Sequence, residues 1–534
     1  MKKLITGLLL YTMLASTLVG CGSSSTSTTT AAQAPAATQA APAATQAAET
    51  KAANVKDTLI AGVTADPPSF APDAGGNLVA QLTYTNIYNR LVELNDKGEY
   101  VPYLAESYEV SDDGLDYTFH LRKGVTFHNG QPFTSEDVKY SLDRFCKSSV
   151  IGVYFTNYES TEIVDDYTCI VHYSAPYSGT KECLFSIRGS NILDKTTCED
   201  MGVDMNTDPI GTGPYKYVSR VSGDKYELER FEDYWGEKPQ IRHITFKVIS
   251  DATSAAIALE AGEIDCIYNT VITEKQNVEG NPDLAWYEIP AAATMFCRFN
   301  CSDPVLKDVR VRKAIQLAVD KQSMCDIVSE GQGDLVSVLF NPAGTAYPDN
   351  VKDVERDVEK AKQLLAEAGY ANGLTLHILA SPERPLYYGC AQVMQSQLAE
   401  IGIDLQMDVM DAASMFDTAE SQHNFQLFIT QQALTAKDNN TLVYRSYHSD
   451  FLADANFGEY NNPKCDEILD RMIKEFDVDK RRDICAEFSE LILEEAPAIP
   501  LYVYYYYFAA NSKLKGVEMS PTLIIDYSKF YWEE

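Results

Sequence analysis

Cys21 is the residue whose neighbours constrain its chemistry most tightly. It ends Leu18-Val19-Gly20-Cys21, a cut site of small residues, behind Lys2, Lys3 and an apolar run from Leu4 to Leu18. A charged start, an apolar run and a cut site describe a secretion signal rather than a membrane span. The run is also too short, and too broken by hydroxyl residues, to cross about 30 Å of hydrocarbon. With a cysteine at the first position after the cut, the tetrapeptide resembles a lipobox, the alternative being a plain secretory signal. The lipobox thiol would take a diacylglycerol, and the lipid would hold the mature chain at the outer face of a membrane. Other reactive patterns are missing. There is no GxSxG, HExxH or P-loop, so no catalysis and no cofactor are expected. The 12 cysteines contain no CxxC, their closest pair is Cys297 and Cys301, and no Cys/His cluster has metal-ligand spacing. With Cys21 lipidated an odd number remains, which reads as small buried hydrophobes rather than a disulfide framework.

Gly22 to Ala53 is Ser, Thr, Ala, Pro and Gln, charged only at Glu49 and Lys51. Such a segment has nothing to bury against the entropy of ordering and is predicted to be a flexible tether, residues 21–56, after a signal at 1–20. The body, from Asp57 to Glu534, is long enough for two or three domains. The chain carries 44 basic and 77 acidic residues, a formal −33. Loss of residues 1–20 removes Lys2 and Lys3 and no acid, leaving −35. So acidic a surface repels nucleic acid and anionic lipid.

The body must position any site with alternating strands and helices, an α/β pattern. Asp116-Tyr-Thr-Phe-His-Leu121 alternates as a strand. Thr134-Ser-Glu-Asp137 is a capping box, and Val138, Leu142 and Phe145 follow on one helical face. Val354, Val358, Ala361, Leu365 and Ala368 form a second stripe, stopped by Gly369. Met394, Leu398 and Ile401 form a third, leading through Gly402 into the strand Ile403–Val409, half of a βαβ unit. A long helix is predicted over 463–495. The tyrosine-rich Tyr502–Tyr507 reads as a strand with one face in the core.

Four stretches, in order, carry a resemblance. They are Leu104-Ala-Glu-Ser-Tyr-Glu-Val-Ser-Asp-Asp-Gly114 with its continuation to Gly130 and Pro132–Val138; Asp208-Pro-Ile-Gly-Thr-Gly-Pro-Tyr-Lys216 with Tyr234-Trp-Gly-Glu-Lys-Pro239; Asp308-Val-Arg-Val-Arg-Lys-Ala314 on to Asp320; and Lys360–Gly369. Together they resemble the family 5 extracellular solute-binding proteins, the oligopeptide- and dipeptide-binding components of ABC importers. Physically most of this signature is scaffold. Asp112-Asp113-Gly114 is a hairpin turn, and Gly211-Thr-Gly-Pro214 packs permissive and rigid residues at a tight reversal.

The resemblance implies a periplasmic-binding-protein-like clamshell of class II type with an additional inserted domain. Domain I would comprise 57–93, 194–253 and 501–534, domain II 94–193, and domain III 254–500. It implies a monomer, extracytoplasmic or periplasmic, that closes over a peptide or related small solute and delivers it to permease subunits. Opines, sugars and nickel or other metal chelates are the alternative cargoes in such a family, and a secreted hydrolase is a weaker alternative class. Dipeptide-binding members pair the ligand carboxylate with an arginine before a proline in domain III. Here Ser381-Pro-Glu-Arg-Pro-Leu-Tyr-Tyr-Gly389 puts Arg384 at that position, with Tyr387 beside it. A planar guanidinium suits that task. The family's amine-binding aspartate aligns with Ala436, and Asp438 is the nearest replacement. Nickel-type members use histidines, and His423 and His448 lie in the same region.

Overall fold

The computed structural model describes residues 56–74, 77–95, 99–186, 188–434, 437–452 and 454–534. The signal, Cys21 and nearly all of the tether fall outside the described residues.

Thr58-Leu-Ile-Ala-Gly-Val63 is apolar along most of its length because it runs inside a sheet covered on both faces. It pairs in parallel with His243–Val248 and Cys266–Tyr268. Lys225–Arg230 and Tyr215–Val221 extend that half of the sheet antiparallel. In the other half Leu374–Ala380 lies parallel to both Ile403–Val409 and Leu427–Ala433. The predicted helix and strand around Gly402 are there, with Gly402 at φ 84°, where a side chain would be strained.

Two long antiparallel strands, Leu284–Phe299 and Ala498–Asn511, run through both halves and join them into one 11-stranded sheet. Their pairing slips between Pro290 and Thr294 and again before Phe296. Such irregularities bend a strand and sharpen its twist. Here they mark the crossing from one half to the other. That crossing lies well after 254, where domain III was expected to begin. Helix Ala252–Glu260 and strand Cys266–Tyr268 pack with Ala509, Ile60 and Trp286 in the first half. The tyrosine-rich segment is part of the second crossing strand, and Tyr502, Tyr504, Tyr506 and Tyr507 are buried in it.

A separate four-stranded antiparallel sheet occupies 105–173, in the order Ala105–Val110, Asp116–Leu121, Thr168–Tyr173, Tyr158–Asp165. Helix Ser135–Phe145 packs on it through Val138, Leu142 and Phe145. The expected capping box is formed, with the Thr134 N–H donating to Asp137 Oδ2 at 2.8 Å. This sheet domain is attached to the first half: the His128 N–H donates to the Gly211 carbonyl, and the Ile192 N–H to that of Asn89. At Gly213 the cause of the glycine is close approach rather than turn geometry. A Cβ there would stand 2.5 Å from the Ile87 carbonyl oxygen.

Two expectations change. The predicted helix over 463–495 is two helices, Pro463–Met472 and Val478–Glu495, because the Asp477 carboxylate accepts from the Asp479 and Lys480 N–H groups and starts a new helix. Val354 precedes the helix that carries the rest of its stripe, which begins at Val358 behind Asp357. The eleven cysteines in the described residues are all free thiols, eight of them buried.

Candidate functional site

Strand direction fixes where a ligand can sit. Thr58–Val63, His243–Val248 and Cys266–Tyr268 all run toward the crossing point, since Cys266–Tyr268 is aligned with the first part of Leu284–Phe299 through their shared partner Ala498–Asn511. Leu374–Ala380, Ile403–Val409 and Leu427–Ala433 run toward it from the other side, where Ala433 pairs with Ala293. The carboxyl ends of both sets therefore meet across the crossing strands. Crevices outside such ends are where open α/β sheets bind ligands.

A cavity of about 90 Å³ lies there. The first half and its junction give Arg90, Leu94 and the Ser520–Thr522 turn. The inserted sheet domain gives Tyr100, Phe185 and Ser186, and the second half gives Ala292, Ala343, Leu434 and Lys437. Main-chain bonds hold the wall: the Ala292 N–H donates to the Pro521 carbonyl at 2.5 Å, and the Thr345 N–H to the Lys437 carbonyl at 2.7 Å. In a chain of 77 acids, the lining has, among the described residues, two cations and no carboxylate. Arg90 pairs with Glu93 at 2.6 Å, outside the lining. The Arg90 Nε and the Tyr100 hydroxyl are buried without a hydrogen-bond partner, as are Thr270 Oγ1 and Ser381 Oγ at the ends of neighbouring strands. Burial, then the charge of Glu182, pushes the Tyr100 phenol above its ordinary range, so it remains a donor.

Arg384 is at the same carboxyl edge, exposed, just ahead of helix Pro385–Ala399. Its guanidinium lies over the Phe416 ring, 5.3 Å from the centroid. Glu383 is not its partner. The Glu383 carboxylate accepts from the Ala412 N–H at 3.0 Å, and among the described residues no ion pair involves Arg384. Tyr387, buried on the first turns of that helix, meets the Phe416 ring edge-on. Burial raises its phenol pKa, and the nearby Arg384 charge opposes the shift.

Asp438 is also at this edge, at the end of the segment after Leu427–Ala433, but both of its oxygens are engaged. Oδ1 accepts from the Asn440 N–H at 2.8 Å, and Oδ2 from the Thr441 N–H at 2.9 Å and from the hydroxyls of Thr441 and Tyr177. Ala436 lies outside the described residues. His423 bonds Glu459, and His448 neighbours Asp450 and Asp470. Neither lines the cavity.

Sequence reasoning missed Arg90, Tyr100 and Lys437. Each sits in a stretch without a motif, and only folding brings the three together. The available signal was weak: an isolated cation beside an aromatic or apolar run in an acidic chain.

Comparison with known proteins agrees with this geometry. A curated relative from Haemophilus influenzae named heme-binding protein A is 27% identical over 475 residues, covering 83% of this chain and 86% of its own. The glutathione-binding protein GsiB of Pectobacterium atrosepticum is 26% identical over 488 residues, covering 88% and 93%. The solved ABC transporter-associated periplasmic binding protein DppA from Helicobacter pylori, in complex with the peptide STSA, superposes with a TM-score of 0.76. It is 25% identical, covering 90% of this chain and 99% of its own. The family model for bacterial extracellular solute-binding proteins, family 5 Middle, matches residues 99–453, which is most of the body. With two lobes meeting at their strand ends around a cavity, the chain belongs to the family 5 bacterial extracellular solute-binding proteins.

Proposed function

We propose that this protein captures a peptide or related small solute with an anionic end, outside the cytoplasm, and hands it to the permease of an ABC importer. The observation that carries the reading is the cavity at the meeting of the strand ends, lined by Arg90 and Lys437 and, among the described residues, by no acid. Charge of that sign, set in a low-dielectric wall, favours carboxylate over ammonium. The occupied oxygens of Asp438 point the same way, since an ammonium buried without a carboxylate is costly. Glutathione and haem, after which two relatives are named, both carry carboxylates. Arg384, free of any acid partner among the described residues, is the proposed contact for a terminal carboxylate, with Tyr387 beneath it.

The cavity has room for several waters, so a solute of peptide size enters only when the halves part. Binding then works by shifting an open–closed equilibrium toward the closed form. No helix among the described residues is long and apolar enough to cross a membrane. The lipid on Cys21 is the proposed tether, and mass spectrometry of the mature N-terminal peptide tests it.

The test of the binding reading is a melt screen with peptides of two to six residues, glutathione, haem and opines. A true ligand at about 100 times its dissociation constant adds roughly 2.7 kcal/mol. The substitution Ala343→Phe, which fills the cavity from a half-buried position, should abolish that gain. No hit at all, or a gain that survives the substitution, overturns the reading.

A further inference from the structure

The inserted sheet domain is rooted in the first half, yet one of its edges is locked into the second. The segment after its last strand, Tyr177 to Cys183, makes the contact. The Ser178 N–H donates to the Ile473 carbonyl at 2.9 Å, and its hydroxyl to the Met472 carbonyl at 3.3 Å. Arg481, 2% exposed, donates to the carbonyls of Ser178 at 3.3 Å and Glu475 at 2.9 Å and lies 3.9 Å from Glu182. The Tyr177 hydroxyl reaches Asp438 Oδ2 at 3.3 Å and the Thr441 hydroxyl. Cys183 Sγ sits 3.8 Å from the same Thr441 oxygen. Gly179 permits this approach: a Cβ there would stand 2.8 Å from the Asp438 carboxyl and 2.8 Å from the Tyr177 ring.

We propose that this contact is a latch, by which the inserted domain grips the second half when the lobes are together, with Asp438 as its central acceptor. A carboxylate this deeply buried needs its donors. Three of the donor groups come from its own loop, and two, the Tyr177 hydroxyl and the Cys183 thiol at 3.9 Å, come from the inserted domain. The same loop carries Leu434 and Lys437 into the ligand cavity, to which the inserted domain adds Tyr100, Phe185 and Ser186. Parting the lobes therefore costs the latch, and forming the latch sets that cavity wall. Asp438 thus acts as a positioning residue of the closed form, in place of the amine contact that its sequence position suggests. The inference rests on the reading of the two halves as lobes that part.

Three variants of the whole body test it, by small-angle scattering and hydrogen exchange without added solute. Gly179→Ala wedges the contact apart. It is expected to move the scattering profile toward a more extended form and to speed exchange of the Asn440 and Thr441 amides, with far-UV circular dichroism unchanged. Tyr177→Phe removes only the hydroxyl and serves if the wedge variant fails to fold. It should raise the open population about tenfold or more, the weight of a lost bond to a charged group. Thr441→Cys places a thiol beside Cys183. Mild oxidation should then join the two, as peptide mapping would show, and hold the compact profile until reductant is added. If the wild type shows open and closed forms but these variants leave the populations and the amide exchange unchanged, the latch is wrong. If neither the wild type nor any variant departs from one rigid shape, the two-lobe reading itself fails.

Discussion

The Leu434 N–H donates to the Ala292 carbonyl at 2.6 Å. This bond ties the end of strand Leu427–Ala433 to the step where the crossing strands change register, so the cavity wall and the bend between the halves share a residue. Ala292 also donates to Pro521 of the first half. A disturbance at this one residue is therefore felt by both lobes and by the cavity.

The first prediction follows from that coupling. Leu434→Ala removes a buried side chain from the cavity wall without touching the backbone bond. Stability should fall by about 2–3 kcal/mol, the low end for a leucine truncation beside an existing cavity that can relax. Solute affinity should fall with it, because the enlarged cavity loses contact area. Urea unfolding and a thermal-shift titration with the best screening hit would measure the two.

Asp137 supplies a pH dependence. It is buried at the helix start, and desolvation lifts its pKa from 3.8 to about 6, partly offset by the N–H groups of Lys195 and Thr134. A raised folded-state pKa means that the folded chain keeps its proton while the unfolded chain releases it. This contribution is complete below about pH 4 and is lost as pH rises through about 6. The shift corresponds to about 3 kcal/mol. Unfolding free energies from pH 4 to 7 should show wild type losing this amount relative to Asp137→Asn. Parallel profiles for the two proteins would contradict it.

Gly213→Ala should cost upward of about 2 kcal/mol, since the new Cβ meets backbone rather than a movable side chain. The damage should appear as a lower urea midpoint with an unchanged m-value. A variant as stable as wild type would show that the end of helix Leu78–Ile87 can retreat.

Much of the scaffold was legible because local chemistry and tertiary packing agree there. Thr134 and Asp137 form their box, Gly114 sits at φ 72° in its hairpin, and Gly369 at φ 98° ends its helix. The break at Asp477 was hidden because Ile473 and Phe476 continue an apolar pattern through it. The site was less legible. Arg384, Tyr387 and Asp438 do share one edge of the sheet, but the use of Asp438 depends on Tyr177, 261 residues away. No periodicity reports such a distance. Likewise Arg90 and Lys437 acquire meaning only once the strand ends meet.

The cysteines predict indifference to reductant. Free thiols fill the core, with Cys297, Cys390 and Cys465 pushed upward in pKa by burial. Losing a native disulfide would cost about 2–5 kcal/mol. The melting temperature of the body should therefore be the same with and without dithiothreitol, and thiol titration after unfolding should count every cysteine present.

The last prediction separates the two arginines that could hold a carboxylate. Arg90 already shares its charge with Glu93 at 2.6 Å, whereas Arg384 lies over the Phe416 face with no acid partner among the described residues. A guanidinium with no acid partner gains most from a bidentate carboxylate. For the best peptide hit, converting the terminal carboxylate to an amide should weaken wild-type binding about tenfold or more, the weight of a charge-assisted bond. In Arg384→Gln the acid and the amide should bind equally. In Arg90→Gln the preference for the acid should survive, because that arginine shapes the cavity wall without reading the chain end. The reverse pattern would move the carboxylate to Arg90 and make the Arg384–Phe416 stack a structural contact. Calorimetric titration of both peptide forms against the three proteins decides between the two.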